Sequence, residues 1–445
     1  MRTGAAAPRR ARGVFAVALL LGGCATYHDL PLPAGSDLAG VAPGGPAPLD
    51  MDRVATLAVL NNPDLNAARA ALRVGEAQAF AAGLLPDPHF DLSGAHPYDR
   101  VLPGDPRYPE YDEYGLELDV DLLALLTHRS VEAGARAEDR QARLNLLWQE
   151  WQTVAEARTL YVQQSIAAER RAFLAHAQQI YALAAQRSQH EQLAGNVTLE
   201  QAGADLAVLQ DVSNRLGDAE RSVLSAEQGL RGLLGLRPDV PVRIGLLPEP
   251  TLPSRAAVRD AVALLPQRRP DLLALQAGYR AQQARVRVAV SSQFPDISIG
   301  FNKSRDNSDV HAIGGVVNLT LPLFNRGRGE LAVQNATRAQ LRADYQARLD
   351  EAAGSAWRLW SEMGQLQGQL AELRGQLPLL SRSVAQAERA YRAAEFPAAG
   401  YLTLVGSYLA ARELQSALQQ SLWSDAIALA TVLGIQVQPA AVDRS

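Results

Sequence analysis

Glu117, Asp119 and Asp121 stand at alternate positions, a spacing that puts three carboxylates on one face of an extended strand. Clustered carboxylates can hold a metal ion or divide acid and base work, but both need partners. The histidines, at 28, 89, 96, 128, 176, 190 and 311, lack the i, i+4 or cysteine-paired spacing of a zinc site. The chain has no G-x-S-x-G, P-loop or dinucleotide fingerprint, so no catalytic residue, metal centre or nucleotide cofactor is expected. Leu116, Leu118, Val120 and Leu122 alternate with the three acids, so the strand has an acidic face and an apolar face. That pattern suits a wall between water and an apolar medium, where carboxylates bias a pore toward cations.

The only cysteine also sits in an informative place. Arg9, Arg10 and Arg12 precede an apolar core from Val14 to Leu21, and Leu21-Gly22-Gly23 set small residues directly before Cys24. This is a secretory signal over residues 1–23, and Leu-Gly-Gly-Cys resembles a bacterial lipobox, which makes Cys24 the lipidated (palmitate-bearing) first residue of the mature chain. Ala25 follows where an inner-membrane retention signal would resemble Asp, so sorting to the outer membrane is expected. Acids and bases are interspersed, with net charge -4 and pI near 6.0, which argues against nucleic acid as a partner. No apolar run after residue 25 reaches the ~18 residues of a membrane helix, so a crossing must be made by strands.

The elements that position these residues occur twice. Pro63-Asp64-Leu65 and Pro86-Asp87 recur as Pro270-Asp271-Leu272 and Pro295-Asp296, 207 and 209 residues later. Leu118-Asp119-Val120, Leu160-Tyr161 and Leu233-Leu234-Gly235 recur as Leu319-Thr320-Leu321, Leu359-Trp360 and Val432-Leu433-Gly434, at spacings of 201, 199 and 199. A longer loop in the first copy, Pro97 to Glu113 against Arg305 to Val310, explains most of the change. In this register the match of Trp148/Trp151 to Trp357/Trp360, at 209, is a coincidence. The expected organisation is an extended anchor segment over 24–48, a first repeat over 49–247, a second over 248–436 and a tail over 437–445. Strands are expected at about 89–97, 114–123, 296–304 and 312–323.

Helical periodicity runs from about Leu49 to Leu85, and from Arg129 to Leu193 there is neither proline nor stop signal. At ~1.5 Å per residue the second run is about 97 Å long. Its counterpart, Arg328 to Ala394, contains Pro378, which should kink it. Two shorter helices per repeat, Asn61 to Leu85 with Val197 to Leu234 and Gln267 to Phe294 with Ala398 to Val432, match the long ones in length when stacked end to end.

Asn62-Pro63-Asp64-Leu65, Arg269-Pro270-Asp271-Leu272, Phe294-Pro295-Asp296-Ile297 and Leu321-Pro322-Leu323-Phe324-Asn325-Arg326-Gly327, in this order and with helix openings in both halves, resemble the TolC-like outer-membrane efflux protein family over residues 49–436. The resemblance implies a mainly α chain with membrane strands: a long periplasmic helical barrel, and about four strands per chain in a β-barrel shared by a homotrimer. It implies a passive exit duct that meets a periplasmic adaptor protein and an inner-membrane pump and contacts outer-membrane lipid. On this reading Leu116, Leu118, Val120, Ile297, Ile299, Val317 and Leu319 face lipid, while Glu117, Asp119, Asp121, Ser298, Asn302, Asn318 and Thr320 face the lumen. The family's gate lies at the helix tips, here Gly195 and Thr198 in the first turn and Pro397, Gly400 and Thr403 in the second. Pro397 stands where the family usually has Gly, and Thr403 and Gly406 occupy positions that are acidic in some relatives, so the resemblance carries no acidic ring over.

Three alternatives stay open: a lipid-anchored periplasmic adaptor or scaffold whose alternating segments are soluble hairpins, an outer-membrane duct for type I protein secretion, and, more remotely, a hydrolase on a helical frame. The cargo is open between metal cations and drug-like small molecules.

Overall fold

The computed structural model describes residues 27–40, 47–96, 111–393 and 395–435. Met1–Ala39 forms one unit, whose described residues contain no helix, and Gly40–Ser445 forms the other. The signal segment with Cys24, most of the Pro97 to Glu113 loop and the tail over 437–445 lie outside the described residues.

In the second unit the order is α1 (Met51–Asn61), α2 (Pro63–Ala82), β1 (His89–Ala95), β2 (Glu113–Asp121), α3 (Leu122–Leu193), α4 (Leu199–Leu233), α5 (Arg255–Ala263), α6 (Leu265–Arg268), α7 (Pro270–Ser291), β3 (Asp296–Arg305), β4 (His311–Thr320), α8 (Arg328–Arg392) and α9 (Ala398–Leu433). The first helical run is broken at Asn62. Its side chain accepts from Leu65 N at 2.9 Å and donates to Leu233 O at 3.4 Å, so one residue caps the start of α2 and the end of α4. Pro63 suits the first helical position, where no N–H is needed. The second repeat opens differently. Arg269 is buried, pairs with Asp271 at 2.7 Å and lies 4.9 Å over the Trp148 ring, and Asp271 also accepts from Arg348 of α8 at 2.9 Å.

The long helix α3 has 72 residues and begins at Leu122, seven residues before the sequence expectation, because the Asp121 side chain accepts from Ala124 N and caps it. That cap also ends β2 at Asp121 rather than 123. Its short companions α2 and α4 have 20 and 35 residues, so they span less of α3 than the end-to-end match suggested. Pro378 does not end α8, whose 65 residues run through it; Pro378 is exposed, where water can meet the carbonyl its missing N–H leaves free.

The segment joining the repeats is strapped across the helices. Leu49 bridges it at Ile244, Tyr161 Oη donates to Leu246 O at 3.1 Å, Trp423 Nε1 to Pro248 O at 3.1 Å and Trp360 Nε1 to Pro253 O at 2.9 Å. Tyr161 and Trp360, equivalent by the 199-residue spacing, thus hold the same strap, whereas Trp148 receives Arg269. The core beneath contains Val54, Ala157, Leu230, Met363, Ile427 and Leu433, all buried. Gly235 and Gly434 end α4 and α9 with φ of +63° and +68°. At Gly235 a Cβ would fall 2.7 Å from Asn61 O. Gly235→Ala therefore combines left-handed strain with a backbone clash; the expected loss is about 1–3 kcal/mol, read as a lower melting temperature.

Candidate functional site: a two-faced sheet and paired helix tips

The four strands form one antiparallel sheet in the order β1-β2-β3-β4. Residues directly opposite one another share a face, so the register sorts the side chains. One face carries Phe90 opposite Leu118, Leu118 opposite Phe301, Val120 opposite Ile299, Ile299 opposite Val317 and Ile297 opposite Leu319. These apolar groups are left uncovered: Leu92 is 72% exposed, Val317 69% and Ile313 78%. The other face carries Asp91 opposite Glu117, Glu117 opposite Asn302, Asp121 opposite Ser298, Ser298 opposite Asn318 and Asp296 opposite Thr320. Asn318 Nδ2 donates to Ser298 Oγ at 3.2 Å. All the polar positions named from the sequence therefore lie on one side of one sheet. Among the described residues that face has no lysine or arginine, and no group of three or more His, Asp or Glu is placed to hold a metal ion. Asp119 departs from a fully solvated wall: it is buried against the β3 backbone at Gly300.

Two local devices build the sheet. At Gly300 a Cβ would come within 2.7 Å of Asp119 Cα and closer still to the Leu118 carbonyl oxygen, so β2 and β3 approach only because that side chain is missing. After β4, Pro322 lacks the N–H for further pairing, which ends the strand at Thr320 rather than 323. The Asn325 side chain then accepts from Gly327 N at 2.9 Å, and Arg326 and Gly327 both take positive φ, which turns the chain into α8. Gly327 has no room for a Cβ, which would meet Ser292 O at 3.0 Å. The outer edges of β1 and β4 have no partner strand among the described residues.

Far along the sequence from the strands, the helix turns bring α3 and α4 beside α8 and α9. Gly195 has φ +81°, and the Thr198 side chain accepts from Gln201 N to cap α4. Pro397 precedes α9 in extended backbone without a side-chain cap. At Gly400 a Cβ would fall 2.9 Å from the Phe396 ring, so the glycine lets that ring fold over the first turn, while Thr403 Oγ1 donates to Ala399 O inside its own helix. The groups that tie the two hairpins are others. Tyr181 Oη donates to Leu402 O at 3.0 Å, Arg187 Nη1 to Tyr391 Oη at 2.9 Å, and Tyr391 stacks on Tyr401 at 5.3 Å. Sequence reasoning missed this aromatic cluster; its only signal was three tyrosines on helices otherwise rich in alanine. A groove of about 1000 Å³ opens beside it, lined among others by His190, Leu193, Val197, Asp205 and Leu402.

The profile of the outer membrane efflux protein family matches residues 262–435. Solved structures agree over much more of the chain. The Campylobacter jejuni CmeC outer membrane channel matches with a TM-score of 0.72 at 16% identity, covering 92% of this chain and 95% of its own. The Vibrio cholerae outer membrane protein VceC matches with a TM-score of 0.68 at 20% identity, covering 87% and 97%. Protein CyaE of Bordetella pertussis is 28% identical over 351 residues, 72% of this chain and 71% of its own. The chain is similar to the outer membrane efflux protein family over residues 262–435 and shares the fold of these channels.

The tip also explains the absence of an acid at Gly406. A Cβ there would stand 3.2 Å from Tyr181 Oη, so a carboxylate would displace the hydroxyl that ties the hairpins.

Two predictions follow from these contacts. Gly300→Val should separate β2 from β3 and abolish assembly in outer-membrane fractions, whereas Gly203→Ala, in open space, should not. Burial pushes the Tyr181 and Tyr401 phenols above their ordinary value near 10.0. A raised phenol stabilises the folded state fully below that ordinary value and loses its contribution as pH rises through the folded one. Melting should therefore be insensitive to these groups from about pH 7 to 9 and fall above about pH 10, with a smaller alkaline loss in Tyr181→Phe.

Proposed function

We propose that this protein is the outer-membrane channel of a tripartite efflux pump, a passive exit duct for small molecules or metal cations. The observation that carries this reading is, among the described residues, a four-stranded sheet with an uncovered apolar face, a carboxylate-bearing opposite face and two outer edges without a partner strand. A soluble scaffold would cover such a face, and lipid both accepts it and forbids the open edges. Four strands are too few to close a barrel, and three copies supply twelve, within the range of outer-membrane barrels of about 8 to 26 strands. Phe90, Leu92, Leu118, Ile299, Val317 and Leu319 then face lipid, and Asp91, Glu117, Asp121, Asn302, Asn318 and Thr320 face the lumen. Cys24 carries the lipid anchor in the outer membrane. The hairpin tips, with Gly195, Thr198, Pro397, Gly400 and Thr403 shaping the turns, form the periplasmic entrance, where an adaptor protein links the duct to an inner-membrane pump. The duct itself supplies no energy.

The test is intracellular accumulation of a panel of metal ions and hydrophobic dyes in a deletion strain, with and without the restored gene. Build-up of at least one compound, reversed by the gene, supports the duct and names the cargo class. No build-up in a strain without other ducts would end the efflux reading. Mass spectrometry of the purified protein should find acyl chains on Cys24 and none in Cys24→Ala.

A further inference from the structure

The uncovered face of the sheet does not stay apolar to its end. Ile297, Ile299 and Phe301 of β3 are followed on the same face by Lys303 and Arg305, since residues two apart in a strand share a side. The register sets Arg305 opposite Tyr114 of β2 and His311 of β4, and Lys303 opposite Leu116 and Ile313. The charges of the four strands are thereby sorted. Asp91, Glu113, Glu117, Asp119, Asp121 and Asp296 all lie on the polar face, and Lys303 and Arg305 lie on the other.

Lys303 is the only lysine of the chain, which otherwise uses arginine. It is exposed and has no hydrogen bond or ion pair among the described residues. Arg305 is held in place: its guanidinium lies 4.4 Å over the Tyr111 ring, and its Nε lies 2.8 Å from Asp309 Oδ1. Asp309 balances that charge, so Lys303 carries the uncompensated one. Beside them Tyr114 Oη stands 3.4 Å from His311 Nδ1.

Resting on the outer-membrane reading, we propose that Lys303 and Arg305, flanked by Tyr111 and Tyr114, bind the phosphate groups of lipopolysaccharide, the phosphorylated glycolipid of the outer leaflet. Its acyl chains lie along Phe301, Leu116 and Ile313.

Three features select this occupant. The first is the side of the sheet. Cations that served only to solvate a strand end would stand better on the polar face, where Glu113 and Glu117 attract them, yet these stand where the lipid is. The second is the level. Asp121, Asp296 and Thr320 mark the strand ends that adjoin helices, so Lys303 and Arg305 lie toward the opposite, outward end. From Leu321, just past β4, to His311 the strand path is ~34 Å. At the roughly 35–45° tilt of barrel strands it rises about 24–28 Å, which matches the ~25 Å apolar band of outer-membrane barrels. The cations therefore fall at the headgroups of the outer leaflet, where a lipid-facing cation costs little and a phosphate makes it favourable. Phospholipids of the inner leaflet lie at the other end of the strands. The third is side-chain type. The flexible lysine stem carries its ammonium past Ile313 to the headgroups, and the guanidinium fixed over Tyr111 keeps N–H donors that one carboxylate does not use up.

The test is binding of lipid A, the phosphorylated acyl end of lipopolysaccharide, to the full-length protein purified from outer membranes in detergent, read by native mass spectrometry. Lys303→Gln should weaken binding at least about five-fold and Arg305→Gln by a similar factor, while Lys303→Arg should retain it. Glu113→Gln, at the same end on the polar face, should leave it unchanged. Dephosphorylated lipid A should not distinguish the native protein from Lys303→Gln. Equal binding by all variants would overturn the site. So would phosphatidylglycerol binding as tightly with the same dependence on Lys303, displacement of lipid A by millimolar inorganic phosphate, or loss of the oligomer rather than of lipid in Lys303→Gln, which would assign the cations to a second copy. Any of these, with the protein in outer membranes at normal levels, leaves the duct standing. Absence of the native protein from outer-membrane fractions would overturn both.

Discussion

Hydrocarbon offers no water to an unpaired backbone N–H or C=O, and the architecture of this chain follows from that constraint. Among the described residues its sheet pairs the inner edges of four strands and leaves the outer edges of β1 and β4 without a partner, a state that lipid does not tolerate. The same requirement fixes both faces. Alternation places Leu92, Ile299 and Val317 on the side where apolar exposure is favourable and Asp91, Glu117 and Asn318 on the side that must stay wet. Gly300 makes the central join, between the two repeats, close enough to form.

The helices solve a different problem. Helices of 72 and 65 residues lie against neighbours that are each shorter, and two belts hold them. One is the strap between the repeats, whose carbonyls are met by Tyr161, Trp360 and Trp423 over an apolar core. The other is the aromatic cluster of Tyr181, Tyr391 and Tyr401 near the turns, where hydrogen bonds and stacking join a second buried apolar cluster.

Much of this was legible in the residues. Period-two alternation at Leu116 to Asp121 and at Ile297 to Asn302 gave the strands and their faces, because a pleated strand alternates regardless of its surroundings. The repeated Pro-Asp-Leu openings gave both helix starts, since proline fits a first helical turn wherever it stands. Boundaries were less legible: the Asp121 cap started α3 early and ended β2 early, because a cap depends on rotamer geometry, whereas α8 ran through Pro378 over nearly the expected span. The tip was least legible. Gly400 and Thr403 were singled out from the turn, yet the hairpins are tied by Tyr181 and Arg187, residues distant in sequence from Tyr391 and Leu402.

The sequence by itself determined the duplication, the two kinds of element, the sidedness of each strand and the candidate anchor at Cys24, because these depend on local spacing and side-chain type. Tertiary structure alone decided which strand lies beside which, that Asp119 is buried against Gly300, that Gly406 must make room for Tyr181, and that among the described residues the outer edges of β1 and β4 have no partner strand. Those features depend on how close two distant stretches of backbone come, and that distance is set by the packing of the whole unit.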